Sequence, residues 1–179
     1  MCEKAAWTLF LDRDGVINER MPDAYIYDFN DFKFKKDFLD VFPKIASGFK
    51  HIFIVTNQQG IGKGLMTIEE LEVVHNKMLD ALGTLAKKIN RIYFCPHLKD
   101  ENCQCRKPNP GMAYMAKNDF PAIDLKKAIL IGDRESDVEF GKNAGMKTIL
   151  INTDNEETSA DYSVKDFYEI ENIIKRLLK

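Results

Sequence analysis

Short apolar runs alternate with amphipathic segments along most of the chain. Each run is bounded by polar or turn-forming residues, a pattern that predicts strands buried on both faces of a sheet. The predicted strands are residues 7–11, 52–56, 89–94, 128–132 and 147–151.

The segments between these runs place apolar residues at helical spacing. Thr67 with Glu70 three residues later predicts a capping box, and the helix that it opens is expected to continue to about Lys88. The other predicted helices are residues 37–49, 111–119, 136–143 and 166–178, and the aromatic-rich residues 25–34 predict a loop. Strand–helix alternation indicates an α/β fold, a Rossmann-like, doubly wound and mostly parallel sheet with helices on both faces.

Composition narrows the class of protein. The 179 residues suit a single domain spanning 1–179, and contents of 45% apolar and 30% charged residues are ordinary for a globular protein. A net charge of −2 without a basic stripe suggests neither nucleic acid nor a membrane surface as partner. The first residues lack the features of a signal peptide, so we expect a cytoplasmic protein. No long heptad pattern occurs, and a monomer is the default expectation.

Polar, chemically reactive residues follow four of the predicted strands. In an open α/β sheet such strand ends converge on one crevice. Their carboxylates suit a divalent cation, and their hydroxyl, amides and fixed positive charge suit an oxyanion, so together they indicate a phosphoryl group as ligand. These residues are Asp12, Asp14, Thr56, Asn57, Arg106, Lys107, Asp133, Arg134 and Asp137.

Three of the four cysteines and one of the three histidines lie within eleven residues, in the pattern C-x-H-x₅-C-x-C. Structural zinc takes four tetrahedral nitrogen or sulfur ligands, so Cys95, His97, Cys103 and Cys105 are a candidate zinc site with no position left for water. The alternative is a group of free thiols in a reducing compartment. A zinc ion here would stiffen the loop that carries Arg106 and Lys107.

The motifs at the strand ends resemble those of haloacid-dehalogenase (HAD) superfamily phosphatases. D-R-D-G-V-I-N resembles the first motif of that family, V-T-N the second, the lysine of C-R-K-P the third and G-D-x-x-x-D the fourth. The resemblance covers residues 7 to 151 and implies a HAD core with a zinc-bound loop. It also implies that a cap domain is absent, since only a short loop, residues 19–34, is left to cover the site.

The resemblance implies a role for each matching residue. Asp12 would be the nucleophile that forms an aspartyl-phosphate, and Asp14 would be the general acid and base. Mg²⁺ would be held by Asp12, Asp133 and the backbone carbonyl of Asp14, with Asp137 supporting them. Thr56 and Lys107 would bind phosphate oxygens. The candidate substrate contacts are Arg106, Arg134, Asn57, Gln58, Glu19 and Arg20, with residues 19–25 expected to touch a sugar or a second phosphate.

Two branches of the superfamily share these motifs. The G-I-G-K-G and C-R-K-P-N-P-G-M segments resemble phosphatases of heptose bisphosphates, which implies loss of the 7-phosphate from a small phosphorylated sugar. G-D-R and the short cysteine loop resemble histidinol-phosphate phosphatases instead. A third hypothesis is a catalytically inactive module that binds phosphosugars. The presence of both Asp12 and Asp14 argues against it, because a binding module does not need both carboxylates.

Overall fold

The computed structural model describes residues 7–21 and 24–178, and its strands form one sheet. They lie in the order β3-β2-β1-β4-β5-β6, and every neighbouring pair is parallel. The predicted parallel α/β sheet is confirmed. The strands are β1 (Thr8–Leu11), β2 (His51–Asn57), β3 (Arg91–Cys95), β4 (Ala128–Gly132), β5 (Lys147–Ile151) and β6 (Tyr162–Val164).

Helices cover both faces of the sheet because successive strand residues point to opposite sides. Leu9 and Leu11 pack in one layer with the helices that begin at Lys36, Ile68 and Phe167, whereas Phe10 packs in the other with the helices that begin at Gly111 and Glu135. These strands are apolar on both faces, as predicted for a covered parallel sheet. The helices are α1 (Lys36–Ile45), α2 (Ile68–Leu82), α3 (Gly111–Asp119), α4 (Glu135–Asn143) and α5 (Phe167–Leu177).

Several predicted boundaries need correction. The capping box of Thr67 and Glu70 is present, but α2 ends at Leu82 because Gly83 turns the chain with φ of +58°. Residues 46–48 and 83–88 are 3₁₀ turns where α-helix was predicted. The third strand runs from Arg91 to Cys95 rather than over 89–94, and β6 was missed.

The strand order reverses between β1 and β4, and the helices that follow these two strands pack on opposite faces of the sheet. A crevice at such a switch point is where open α/β sheets bind ligands. Asp12 follows β1 and Asp133 follows β4, which places two of the candidate carboxylates at this crevice. Among the described residues, no helix combines the length and the apolar character needed to cross a membrane.

Candidate active site

The loops after β1 and β4 approach each other closely at the switch point. The backbone N–H of Asp12 donates to the carbonyl of Ile131 in β4 at 2.9 Å, which continues the strand pairing into the loop. Gly15 adopts φ of +95°, and a β-carbon at this position would lie 1.8 Å from Asp133 Oδ2. Glycine is therefore required here both by the backbone conformation and by the contact with Asp133.

Lys107 lies between two buried carboxylates. Its Nζ is 2.6 Å from Asp12 Oδ1 and 2.6 Å from Asp137 Oδ1, and it donates to the carbonyl of Val55 at 3.0 Å. Burial raises the pKa of Asp12 to about 7, against the lowering effect of Lys107. Burial alone would lower the pKa of Lys107, but the two carboxylates outweigh it and raise that pKa above its usual range. The ammonium group therefore stays charged beside Asp12.

Further hydrogen bonds hold the backbone of Lys107 and the side chain of Asp137. The amide of Asn57 accepts from the backbone N–H of Lys107 and donates to its carbonyl, both at 3.1 Å. Asp137 Oδ2 accepts from the backbone N–H groups of Asp133 and Arg134, at 3.2 and 3.1 Å, at the start of α4. Asn57, expected to contact a substrate, thus uses both ends of its amide to hold Lys107.

The Asp14 carboxylate is held by a network that sequence analysis missed. Arg13 Nη2 lies 2.9 Å from each carboxylate oxygen, and Asn18 and Gln58 donate to the same group at 3.0 and 2.9 Å. Burial would raise the pKa of Asp14, but the charge of Arg13 and these hydrogen bonds lower it. Asp14 is therefore ionised and fixed in orientation.

Arg13 is itself buried and bonded to His75, which lies on α2. Arg13 Nη1 is 3.1 Å from His75 Nε2, and burial together with the charge of Arg13 lowers the pKa of His75 to about 3. His75 is thus a neutral acceptor that completes the surroundings of the arginine. No local signal in the sequence connects these two residues, which lie 62 positions apart.

Thr56 and Gln58 form the wall between Asp14 and the end of β2. Gln58 Nε2 donates to Thr56 Oγ1 at 2.8 Å as well as to Asp14. Both side chains are buried, and both residues line the cavity in front of Asp12. The hydroxyl of Thr56 keeps its own proton to donate, because it serves as acceptor in this contact.

Arg20 lies across the gap between the two loops. Its Nε and Nη2 donate to Asp133 Oδ2 and Oδ1 at 2.9 and 2.6 Å, and Nη2 also donates to the backbone carbonyl of Asp14 at 2.6 Å. Asp12 Oδ2 is 3.7 Å from the same Nη2. A side chain expected to bind substrate is therefore paired with the candidate metal ligands.

The carboxylates at the crevice suit a hard divalent cation. Asp12, Asp133 and Asp137 each offer an oxygen, and these atoms lie within 4.8 Å of one another. The backbone carbonyl of Asp14 faces the same gap, as its contact with Arg20 shows. Oxygen donors of this kind are those that Mg²⁺ prefers, so the residues present fit that ion.

The Cys/His segment brings its four candidate ligands together. Cys95 ends β3, and its Sγ is 3.3 Å from the sulfur of Cys103 and 3.5 Å from His97 Nδ1. Cys105 Sγ lies 3.5 Å from Cys103 Sγ and 3.4 Å from the same nitrogen. These separations are too long for a disulfide and close to the edge of a tetrahedron around zinc, about 3.8 Å for Zn–S bonds of 2.3 Å.

A cavity of about 860 Å³ opens in front of Asp12 and Lys107. Arg106 donates to the carbonyl of His97 at 3.1 Å and to Gln59 Oε1 at 3.2 Å, so the cysteine-rich loop supports it. Glu19 is exposed and is not part of the lining, and Pro22 and Asp23 lie outside the described residues. The lining includes Arg20, Tyr25, Lys63, Lys99, Arg106 and Arg134.

Comparisons with known proteins find HAD-like hydrolases and phosphatases of heptose bisphosphates among the relatives of this chain. Residues 104–176 match a family model described as HAD-hydrolase-like. The D-glycero-alpha-D-manno-heptose-1,7-bisphosphate 7-phosphatase of Campylobacter jejuni is 39% identical over 93% of this chain and 95% of its own length. The D-glycero-beta-D-manno-heptose-1,7-bisphosphate 7-phosphatase of Helicobacter pylori is 36% identical over 93% of this chain and 96% of its own.

A solved structure shares the fold. The D,D-heptose 1,7-bisphosphate phosphatase of B. bronchiseptica superimposes with a TM-score of 0.82, covering 95% of this chain and 98% of that chain, at 24% identity. That crystal structure contains magnesium and phosphate. The superposition covers 95% of this chain, so the two proteins share the fold.

Proposed function

Because the chain belongs to the HAD-like hydrolases, with phosphatases among its relatives, we propose that it removes the 7-phosphate of D-glycero-D-manno-heptose 1,7-bisphosphate in a Mg²⁺-dependent reaction. One observation carries the proposal. The carboxylate of Asp12 and the ammonium of Lys107 lie 2.6 Å apart at the buried end of a cavity whose outer wall bears further cations. A nucleophile beside a fixed positive charge suits attack on an anionic phosphoryl group.

Asp12, Asp133 and the backbone carbonyl of Asp14 would hold Mg²⁺. When bound, the ion would neutralise the clustered carboxylates and draw negative charge from the phosphoryl oxygens. Lys107 and the hydroxyl of Thr56 would contact the phosphoryl oxygens from the β2 side of the crevice. Asn57 and Asp137 act indirectly, since they fix the backbone and the ammonium group of Lys107.

In the first step, an Asp12 oxygen forms a bond to phosphorus while the bond from phosphorus to the sugar oxygen breaks. Asp14 takes a proton from solvent when the negative charge of the bound substrate raises its pKa, and it gives that proton to the departing oxygen. In the second step, water attacks the aspartyl-phosphate, Asp14 removes a proton from that water, and inorganic phosphate leaves Asp12. The hydrogen bonds from Arg13 Nη2 to both carboxylate oxygens keep Asp14 in one orientation through both steps.

The remaining cations offer a place for the second phosphate. Arg106 and Lys63 line the outer part of the cavity, and Lys63 Nζ lies 5.3 Å from the ring centre of Tyr25. A guanidinium group suits bidentate contact with a phosphate, and an aromatic ring suits the apolar face of a sugar. A bisphosphate would then place one anion beside Lys107 and the other beside Arg106.

We assign structural zinc to the cluster of Cys95, His97, Cys103 and Cys105. All four positions of a tetrahedral site are filled by protein atoms, so the ion has no catalytic position. Its role is to hold the segment in which Arg106 and Lys107 follow Cys105 directly. Cysteines that serve as zinc ligands rather than as disulfides suit a reducing compartment, and we place the enzyme in the cytoplasm.

The substrate is tested by phosphate release with Mg²⁺ from the α and β anomers of heptose 1,7-bisphosphate and from histidinol phosphate, compared by kcat/KM. We expect a preference of about a hundredfold or more for a heptose bisphosphate, equal to ~2.7 kcal/mol of transition-state discrimination. A preference of that size for histidinol phosphate would assign the chain to the other branch. Binding of these compounds without any phosphate release would favour the inactive binding module.

The nucleophile is tested by Asp12→Asn, with Asp154→Asn as the matched control. Asp154 is exposed and remote in sequence from every residue of the crevice. We expect the first variant to lose turnover while its circular dichroism spectrum stays native, and the second to keep wild-type kcat. Turnover that survives in Asp12→Asn would show that another group attacks phosphorus.

A further inference from the structure

Arg20 makes the same set of contacts that a metal ion in the crevice would make. Its guanidinium bonds both carboxylate oxygens of Asp133 and the backbone carbonyl of Asp14, and it lies 3.7 Å from Asp12 Oδ2. Asp133 and Asp12 are both largely buried, so water does little to stabilise their charges. Arg20 is thus the cation that neutralises Asp133 in this arrangement.

The backbone next to Arg20 is held, whereas its side chain can leave. The N–H of Glu19 donates to the carbonyl of Lys33 at 2.8 Å, and Asn18 forms a bridge with Phe34, which anchors the chain just before Arg20. The Arg20 side chain is 31% exposed and lines the cavity. Rotation about its side-chain bonds would therefore move the guanidinium from the carboxylates into the cavity.

We propose that Arg20 is a built-in competitor of the divalent cation: its guanidinium occupies the metal position, and Mg²⁺ binds only when Arg20 swings out. A guanidinium and a Mg²⁺ ion cannot both bond Asp133 and the Asp14 carbonyl, because their positive charges would meet at the same oxygen atoms. This inference rests on the proposed metal ligands, and its test measures metal binding rather than catalysis.

The direct test is a Mg²⁺ titration of the zinc-loaded full chain followed by NMR of arginine Nε–H groups. Arg20 Nε donates to Asp133 at 2.9 Å, and its signal is assigned by its loss in Arg20→Gln. We expect that signal to shift towards the position of exposed arginines as Mg²⁺ is added. Arg13 Nε, which donates to Asp14 at 3.2 Å, is the internal control and should keep its bonded signal.

A second measurement compares Mg²⁺ affinity by calorimetry in wild type, Arg20→Ala and Arg134→Ala. Arg134 lines the same cavity and carries the same charge, whereas the hydrogen bonds to the Asp133 carboxylate come from Arg20. We expect Arg20→Ala to bind Mg²⁺ at least about tenfold more tightly, or ~1.4 kcal/mol. Arg134→Ala should change the affinity by less than about threefold, since it removes only a nearby charge.

The outcomes separate this inference from the proposed function. The proposed competition between Arg20 and Mg²⁺ would be refuted if the Arg20 signal stayed unchanged at saturating Mg²⁺. Equal Mg²⁺ affinities of the two alanine variants would refute it too. Failure of wild type to bind Mg²⁺ at all would overturn it as well. Displacement of Arg20 by Mg²⁺ without phosphate release from any tested substrate would instead leave the competition standing and reject only the phosphatase assignment.

Discussion

Replacing His75 with glutamine tests the buried network behind Asp14. His75 is 6% exposed, and its Nε2 faces the Arg13 guanidinium at 3.1 Å. Burial, followed by the charge of Arg13, lowers the pKa of His75 to about 3. Glutamine also offers an oxygen acceptor to Arg13 but does not titrate, so the substitution removes the proton-binding group and keeps the acceptor.

The pKa difference fixes the sign and the size of the effect. In the unfolded chain His75 titrates near its ordinary value of 6.5, so at pH 7 it is mostly neutral in both states. Below pH 6.5 His75 binds a proton in the unfolded state but stays neutral in the folded state. The free energy of unfolding therefore falls as the pH falls towards 3. Between pH 7 and pH 5 the loss from this one group amounts to about 2 kcal/mol.

This loss is measured by urea unfolding of zinc-loaded wild type and His75→Gln at pH 7 and pH 5. We expect the free energy of unfolding of wild type to fall by about 2 kcal/mol more than that of the variant. His51→Gln is the matched control, since His51 is less buried and should contribute a smaller difference. Equal pH dependence in wild type and His75→Gln would show that His75 is not held neutral against Arg13.

Two other substitutions test the loops of the crevice. Gly15→Ala should weaken Mg²⁺ binding and lower the melting temperature, because the added β-carbon would lie 1.8 Å from Asp133 Oδ2. Gly64 is the control: it also has a positive φ but lies in open space, so Gly64→Ala should show only the cost of backbone strain. Equal effects would refute the contact argument. Cys105→Ser should reduce the zinc content measured by mass spectrometry from one ion per chain and lower the melting temperature. Full zinc content in that variant would reject Cys105 as a ligand.

The strands and the crevice residues were predictable because their signals are local. An apolar run between turns identifies a strand buried on both faces, and the acidic and basic residues directly after such runs lie at one edge of the sheet. Lys107, 95 residues from Asp12 in the chain, was placed beside it on this reasoning together with the motif resemblance. The Cys/His spacing likewise predicted that four donor atoms would come together.

Element ends and the shortest strand were not predictable to the same degree. The apolar pattern after Leu82 remains helical in period, and only the positive φ of Gly83 shows that the α-helix stops there. Strand β6 has three residues, too few for alternation to stand out, and it exists because it pairs with β5.

The fold class, the strand ends that meet and the chemistry available there all follow from the amino-acid sequence, because each depends on residue type and short spacing. The pairing of side chains, in contrast, depends on the folded chain. Arg13 forms a hydrogen bond with His75, and Asn57 bonds the backbone of Lys107. Arg20 bonds Asp133, which is 113 residues away in the chain. Such contacts follow from the order of strands in the sheet and from the competition of buried charges for partners, and neither is encoded in any local pattern.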